Sequence, residues 1–217
     1  MKRDPNLSKA VFRAVCLLSA TAATLLAIPA SASDNMPASK LPGLLKQGGY
    51  VIYMRHASTE KDYADQVTAK IGNCATQRTL SEKGWKEAEL IGASISLLGI
   101  PVGAVYSSEY CRAWKTARIA FGDSTKRPGL NFEPAETYTE AQTARMRSAV
   151  LPMLSAPPAD GTNTVIVGHD DPFEAATGIY PDPQGVAYVV KPMANGKIEV
   201  MGHILPADWP QLIAAQN

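Results

Sequence analysis

Gly49-Tyr50-Val51-Ile52-Tyr53-Met54 is a continuous apolar run rich in β-formers, and Arg55-His56 follow it at once. A run of this length, bounded by glycine on one side and charge on the other, predicts a central strand buried on both faces. Thr164-Val165-Ile166-Val167 repeats the pattern and delivers Gly168-His169. Each strand therefore ends by presenting a histidine.

The intervening sequence alternates in character. Trp85, Ala88, Ile91, Ile95 and Leu98 recur at helical spacing within Glu82 to Leu98, with Ser81 placed as N-cap and Gly99 placed to end the helix. A strand is expected at Val102 to Tyr106, a helix at Glu109 to Phe121, a weaker strand near Leu130 to Phe132 and a helix from Glu140 to Leu154. Asp171 and Pro172 read as N-cap and first residue of a short helix that Gly178 stops. Ala187 to Val190 and Ile198 to Ile204 read as a hairpin turning at Asn195-Gly196, before a last short helix from Asp208. Apolar strands alternating with amphipathic helices predict an α/β fold: a single three-layer α/β/α domain with a mostly parallel central sheet. In such sheets ligands bind beyond the carboxyl ends of the strands, where Arg55, His56 and His169 fall.

The first 32 residues do not fit that domain. Lys2, Arg3, Lys9 and Arg13 precede an apolar, small-residue run from Ala14 to Ala30, and Ala30-Ser31-Ala32 offers a cleavage site, the pattern of a secretory leader. Ser19, Thr21, Thr24 and Pro29 interrupt the run, which disfavours a membrane anchor. Residues 1–32 are expected to be removed, 33–47 to form a lead-in and 48–217 the domain, in a periplasmic or secreted protein with no stable membrane insertion after cleavage. Loss of the leader takes four cations and one aspartate and moves the net charge from +1 to −2. A near-neutral chain carries no general affinity for nucleic acid. Cys16 leaves with the leader, so Cys74 and Cys111 are expected to pair in an oxidising compartment.

A phosphate monoester needs positive donors in fixed directions, and the planar guanidinium fork serves this best. Arg55 supplies one fork. Arg112, in the first turn of the helix after Ser107-Ser108, can supply another, helped by that helix's unsatisfied N–H groups; a solvated surface arginine is the alternative there. His203 lies inside a terminal strand and reads as structural. No His-x-x-x-His or comparable spacing marks a metal site, and no cofactor motif is found.

Four stretches taken in order, Tyr53-Met54-Arg55-His56-Ala57-Ser58-Thr59, Leu80-Ser81-Glu82-Lys83-Gly84, Tyr106 to Ala117 with Cys111-Arg112-Ala113 at its centre, and Val167-Gly168-His169, resemble the histidine phosphatase superfamily, with its phosphoglycerate mutase-like fold. The resemblance spans roughly residues 48–205. It implies a phosphomonoester hydrolase that needs no metal or cofactor, in which His56 accepts the phosphoryl group of a small phosphorylated substrate while Arg55, Arg112 and His169 hold its oxygens. It also implies a carboxylic acid that protonates the leaving oxygen. Glu140 matches the mutase-like branch and Asp170, directly after the second histidine, matches the acid phosphatase and phytase branch. The family's glycine after Arg-His is Ala57 here, tolerable unless the backbone needs positive φ. A phosphomutase with the same intermediate and a non-catalytic anion binder on the same fold are the alternatives. The loop from Ala57 to Arg78 and the surface around Tyr180 to Gln184 are expected to set specificity.

Overall fold

Val51–Arg55 forms β1, and every residue of it is buried. Its alternation divides the interior. Ile52 and Met54 face a cluster that includes Ile91, Ile95, Ala113, Ala117, Val165, Val167 and Trp209, while Val51 and Tyr53 face one that includes Leu130, Val150, Leu154, Ile166 and Phe173. Two cores on opposite faces of one strand require helices on both sides, and the structure has them. The structure is a computed structural model and describes residues 36–60, 69–135 and 137–215. The expected leader, residues 1–32, lies outside the described residues, as does 61–68 of the long polar loop.

In chain order the remaining elements are α1 (Leu41–Leu45), α2 (Glu82–Leu97), β2 (Val102–Ser107), α3 (Cys111–Phe121), β3 (Thr125–Lys126), α4 (Glu140–Ser155), β4 (Asn163–Gly168), α5 (Asp170–Thr177), β5 (Ala187–Pro192), β6 (Ile198–Ile204) and α6 (Trp209–Ala214). The six strands form one sheet in the order β3-β2-β4-β1-β5-β6. β3, β2, β4 and β1 run parallel, and the β5–β6 hairpin pairs antiparallel against β1. This is the expected α/β architecture, with the hairpin turning at Asn195 (φ 62°) and Gly196 (φ 70°).

Two local expectations are corrected. The strand near Leu130 to Phe132 is absent: Pro128–Leu130 makes a single 3₁₀ turn, and the edge strand lies earlier, at Thr125–Lys126. Proline has no N–H for a ladder and is followed by glycine, while buried Leu130 serves as an anchor under α4. The short helix begins at Asp170, with His169 as N-cap; Pro172 is accommodated because the first four N–H groups of a helix lack intrahelical partners anyway. The described part of the lead-in is packed. Leu41 and Leu45 are fully buried, and the Met36 N–H donates to the Met201 carbonyl of β6 at 2.9 Å.

The carboxyl ends of β1, β4 and β2 lie side by side, with Arg55 opposite Gly168 and Ser107 opposite Val167. Arg55-His56, His169 and Ser108 are thereby brought to one edge of the sheet.

Candidate active site

His56 is fully buried, and its peptide is fixed from several directions. The His56 N–H donates to the Gly168 carbonyl (3.0 Å), its carbonyl accepts the Gly185 N–H (3.0 Å), and the next N–H, from Ala57, donates to Thr116 Oγ1 of α3 (3.1 Å). Ala57 carries no strain, since Asn195 is the one non-glycine residue with positive φ among the described residues. The ring's Nδ1 lies 2.9 Å from the Ala57 carbonyl. A carbonyl only accepts, so the geometry assigns the proton to Nδ1 and the lone pair to Nε2. Arg112 Nε donates to that Nε2 at 3.1 Å. Burial first, and the Arg112 charge second, hold the imidazole pKa well below its ordinary value. His56 is thus a neutral ring with its unprotonated nitrogen against a guanidinium.

Arg112 is not a surface residue: it is 4% exposed. Its guanidinium carbon lies 5.2 Å from the centroids of both the Tyr110 and Phe132 rings, which stack on each other at 4.3 Å. Apolar stacking takes the charge out of water while leaving its donor edge directed at His56. Thr116 Oγ1 donates to the Arg112 carbonyl at 2.7 Å, so the hydroxyl that receives Ala57 N–H also ties the start of α3 to the loop after β1.

His169 is fully buried at the end of β4, with its ring centroid 5.5 Å from that of His56. Tyr53 grips its peptide, donating to the His169 carbonyl (2.7 Å) and accepting its N–H (3.1 Å). The Ser108 hydroxyl donates to Asn131 Oδ1 (2.8 Å) and so accepts from His169 Nε2 (2.8 Å). That fixes the tautomer and leaves Nδ1 as the ring's other polar atom. Burial, then the charges of Arg112 and His56, depress the pKa of His169 as well.

Arg55 is 5% exposed. Its Nη2 pairs with Asp170 Oδ2 at 2.6 Å, its Nη1 donates to the Pro181 carbonyl at 3.0 Å and reaches Asp182 Oδ1 at 3.4 Å. Two buried polar atoms of the cluster, Arg55 Nε and His169 Nδ1, have no hydrogen-bond partner among the described residues. Buried polar atoms are rarely left unmatched: an oxyanion oxygen suits the donor Arg55 Nε, whereas His169 Nδ1, unprotonated in this tautomer, calls for a protonated oxygen or a proton of its own.

The two expected proton donors differ. Asp170 is in the cluster, where Oδ2 takes both Arg55 and the Tyr180 hydroxyl (2.8 Å). Glu140 is exposed at the start of α4, which Thr139 and Gln142 close with a reciprocal capping box. The sequence did not single out Asp171 or Tyr138. Asp171 Oδ2 accepts the Tyr138 hydroxyl at 2.9 Å, and burial, reinforced by the neighbouring Asp170 charge, raises its carboxyl pKa. Two acidic residues in a row were legible as a helix start, not as two differently used carboxyls. Arg78 was also missed, though its charge acts on both imidazoles. Among the described residues no group of three or more histidine, cysteine or acidic side chains is placed to hold a metal ion.

Comparison with known proteins bears on this arrangement. A family model described as the histidine phosphatase superfamily (branch 1) matches residues 51–131, from β1 through the turn at Pro128–Leu130. The structure of the protein histidine phosphatase SixA complexed with tungstate superposes with a TM-score of 0.51 at 14% identity, over 73% of this chain and 98% of that one. The chain has the histidine phosphatase fold. A mutant phosphoserine phosphatase from Entamoeba histolytica, in complex with phosphoserine, superposes with a TM-score of 0.53 at 15% identity, over 72% of this chain and 97% of that one. No curated protein sequence matches. On the histidine phosphatase fold, Arg55, His56, Arg112 and His169 occupy one buried cluster at the carboxyl edge of the sheet.

Proposed function

We propose that the protein is a phosphomonoester hydrolase that forms a phosphohistidine on His56, without a metal, and acts on a small phosphorylated metabolite or envelope sugar phosphate outside the cytoplasm. The observation that carries this is the pairing of His56 Nε2 with Arg112 Nε at 3.1 Å on a ring whose Nδ1 is held by the Ala57 carbonyl. The nucleophile's lone pair points to the place where a guanidinium can hold phosphoryl oxygens. When a phosphate monoester enters, its oxygens compete for Arg112, freeing Nε2 for in-line attack on phosphorus. Arg55 and Arg112 balance the charge on the equatorial oxygens, and His169, neutral in the resting site, adds a hydrogen bond once its Nδ1 takes up a proton with the incoming anion. Nε2 gains the phosphoryl group, the leaving oxygen gains a proton, and water later returns the ring to its starting form.

Proton delivery is assigned to the first turn of α5. Asp170 is committed to orienting Arg55, whereas burial and the Asp170 charge raise the pKa of Asp171 against the lowering effect of the hydrogen bond it accepts from Tyr138, the direction a proton donor requires. Export is supported by the leader pattern of residues 1–32 and by the disulfide described below.

Phosphate release from a panel of sugar phosphates, nucleotides, phytate and phosphopeptides tests the reading, with His56→Ala as the inactive control. On alkyl phosphates, Asp171→Asn is expected to lose at least about 100-fold in kcat and much less on aryl phosphates with good leaving groups. Glu140→Gln should stay near wild type on both. A loss confined to Glu140→Gln would move the acid to α4.

A further inference from the structure

The segment Lys70 to Leu80 is held against the cluster from two sides. On the α3 side, Cys74 and Cys111 form a disulfide with a Cα–Cα distance of 5.6 Å. Beside it Gln77, which is buried, accepts the Cys111 N–H through its side-chain carbonyl at 2.7 Å and donates to the Lys70 carbonyl at 2.8 Å. On the β1 side, Leu80 forms an antiparallel bridge with Thr59, the Thr79 carbonyl accepts the Glu60 N–H at 3.1 Å, and the Ser81 N–H donates to the Ser58 carbonyl at 3.0 Å. Arg78 sits between these anchors. One residue before it, a side chain is bonded to the neighbour of Arg112; two residues after it, the backbone pairs with the loop that leaves His56.

Arg78 is half-buried, and its charge lowers the pKa of His56 and of His169 alike, as expected of a cation near both rings. A phosphoryl group in transfer presents three equatorial oxygens.

We infer that Arg78 is a third guanidinium of the phosphate pocket, binding an oxyanion oxygen together with Arg55 and Arg112, and that the Cys74–Cys111 bond and Gln77 are the brace that holds it there. The inference rests on the phosphate-site reading above and adds to it a residue and a dependence on the oxidised state. In the reduced chain the Gln77 contact alone would have to keep the segment on α3, and Arg78 would lose much of its fixed direction.

Calorimetric titration with tungstate separates the possibilities. The disulfide-intact wild type is expected to bind. Arg78→Ala should weaken binding about 10-fold or more, the usual worth of a charge-assisted hydrogen bond, with Arg78→Lys intermediate and all three proteins melting at similar temperatures. Cys74→Ser should weaken binding too, and adding Arg78→Ala to it should cost less than in the intact protein, because the two act through one path. Equal affinity of wild type and Arg78→Ala overturns the inference alone. Failure of wild type to bind tungstate overturns the phosphate-site reading and Arg78's part with it.

Discussion

His56 carries two opposed demands, a free lone pair and a surrounding of cations, and the structure meets both with one hydrogen bond at each ring nitrogen. Because burial and Arg112 depress its pKa well below the ordinary value, the ring is neutral at about pH 6.5, where a free histidine would be half protonated. In an NMR pH titration of the ligand-free protein the His56 Cε1–H resonance should stay flat from pH 8 to 6; a midpoint near 6.5 would show that the ring is neither buried nor paired as described. The positions of Arg55, His56 and His169 were legible because each stands at the end of an uninterrupted apolar run. Those of Arg78, Asp171 and Tyr138 were not, since they arise from contacts between segments far apart in sequence. One clue was available: a Cys74–Cys111 bond places residue 78 near residue 112.

At the scale of elements, close approach of backbones decides the geometry. A Cβ on Gly84 in the first turn of α2 would overlap the Ser58 carbonyl, the same oxygen that accepts the Ser81 N–H and hydroxyl. Glycine therefore lets α2 lie directly on the loop that leaves His56. Gly84→Ala is expected to lower stability by about 1–3 kcal/mol, the usual cost of overpacking, and to lower kcat with it, as read by denaturant unfolding and turnover on one substrate. An unchanged midpoint would mean that the helix and loop shift apart freely. Gly84 was noticed in the sequence as part of a motif, but the partner it touches is set by tertiary packing. For the same reason β3 and the buried α1 escaped a local reading: two residues of strand and one short helix carry too little periodicity to register.

Across the whole molecule, the buried site makes the fold sensitive to acid. His56 and His169 both have pKa values lowered in the folded state, so below pH 6.5 the unfolded chain binds more protons than the native one. Their contribution to stability is complete above the unfolded value and is lost as pH falls through the window between 6.5 and the depressed folded values, at up to about 1.4 kcal/mol per pH unit for each histidine. Denaturant midpoints should therefore fall steeply from pH 6.5 to 5, and less steeply in His56→Asn. Identical slopes in the two proteins would place the acid sensitivity elsewhere. The layered α/β plan was readable because doubly buried strands admit few architectures; the close packing of cations around two neutral imidazoles is a property of the assembled sheet edge.

The phosphoryl group on His56 is the centre of the account, and chemical quenching reads it directly. Phosphohistidine survives alkali and hydrolyses in acid. Wild-type protein turning over a ³²P-labelled monoester and quenched in alkali should carry acid-labile label, and His56→Ala should carry none and release no phosphate. Full phosphatase activity in His56→Ala, with no label on wild type, would contradict it.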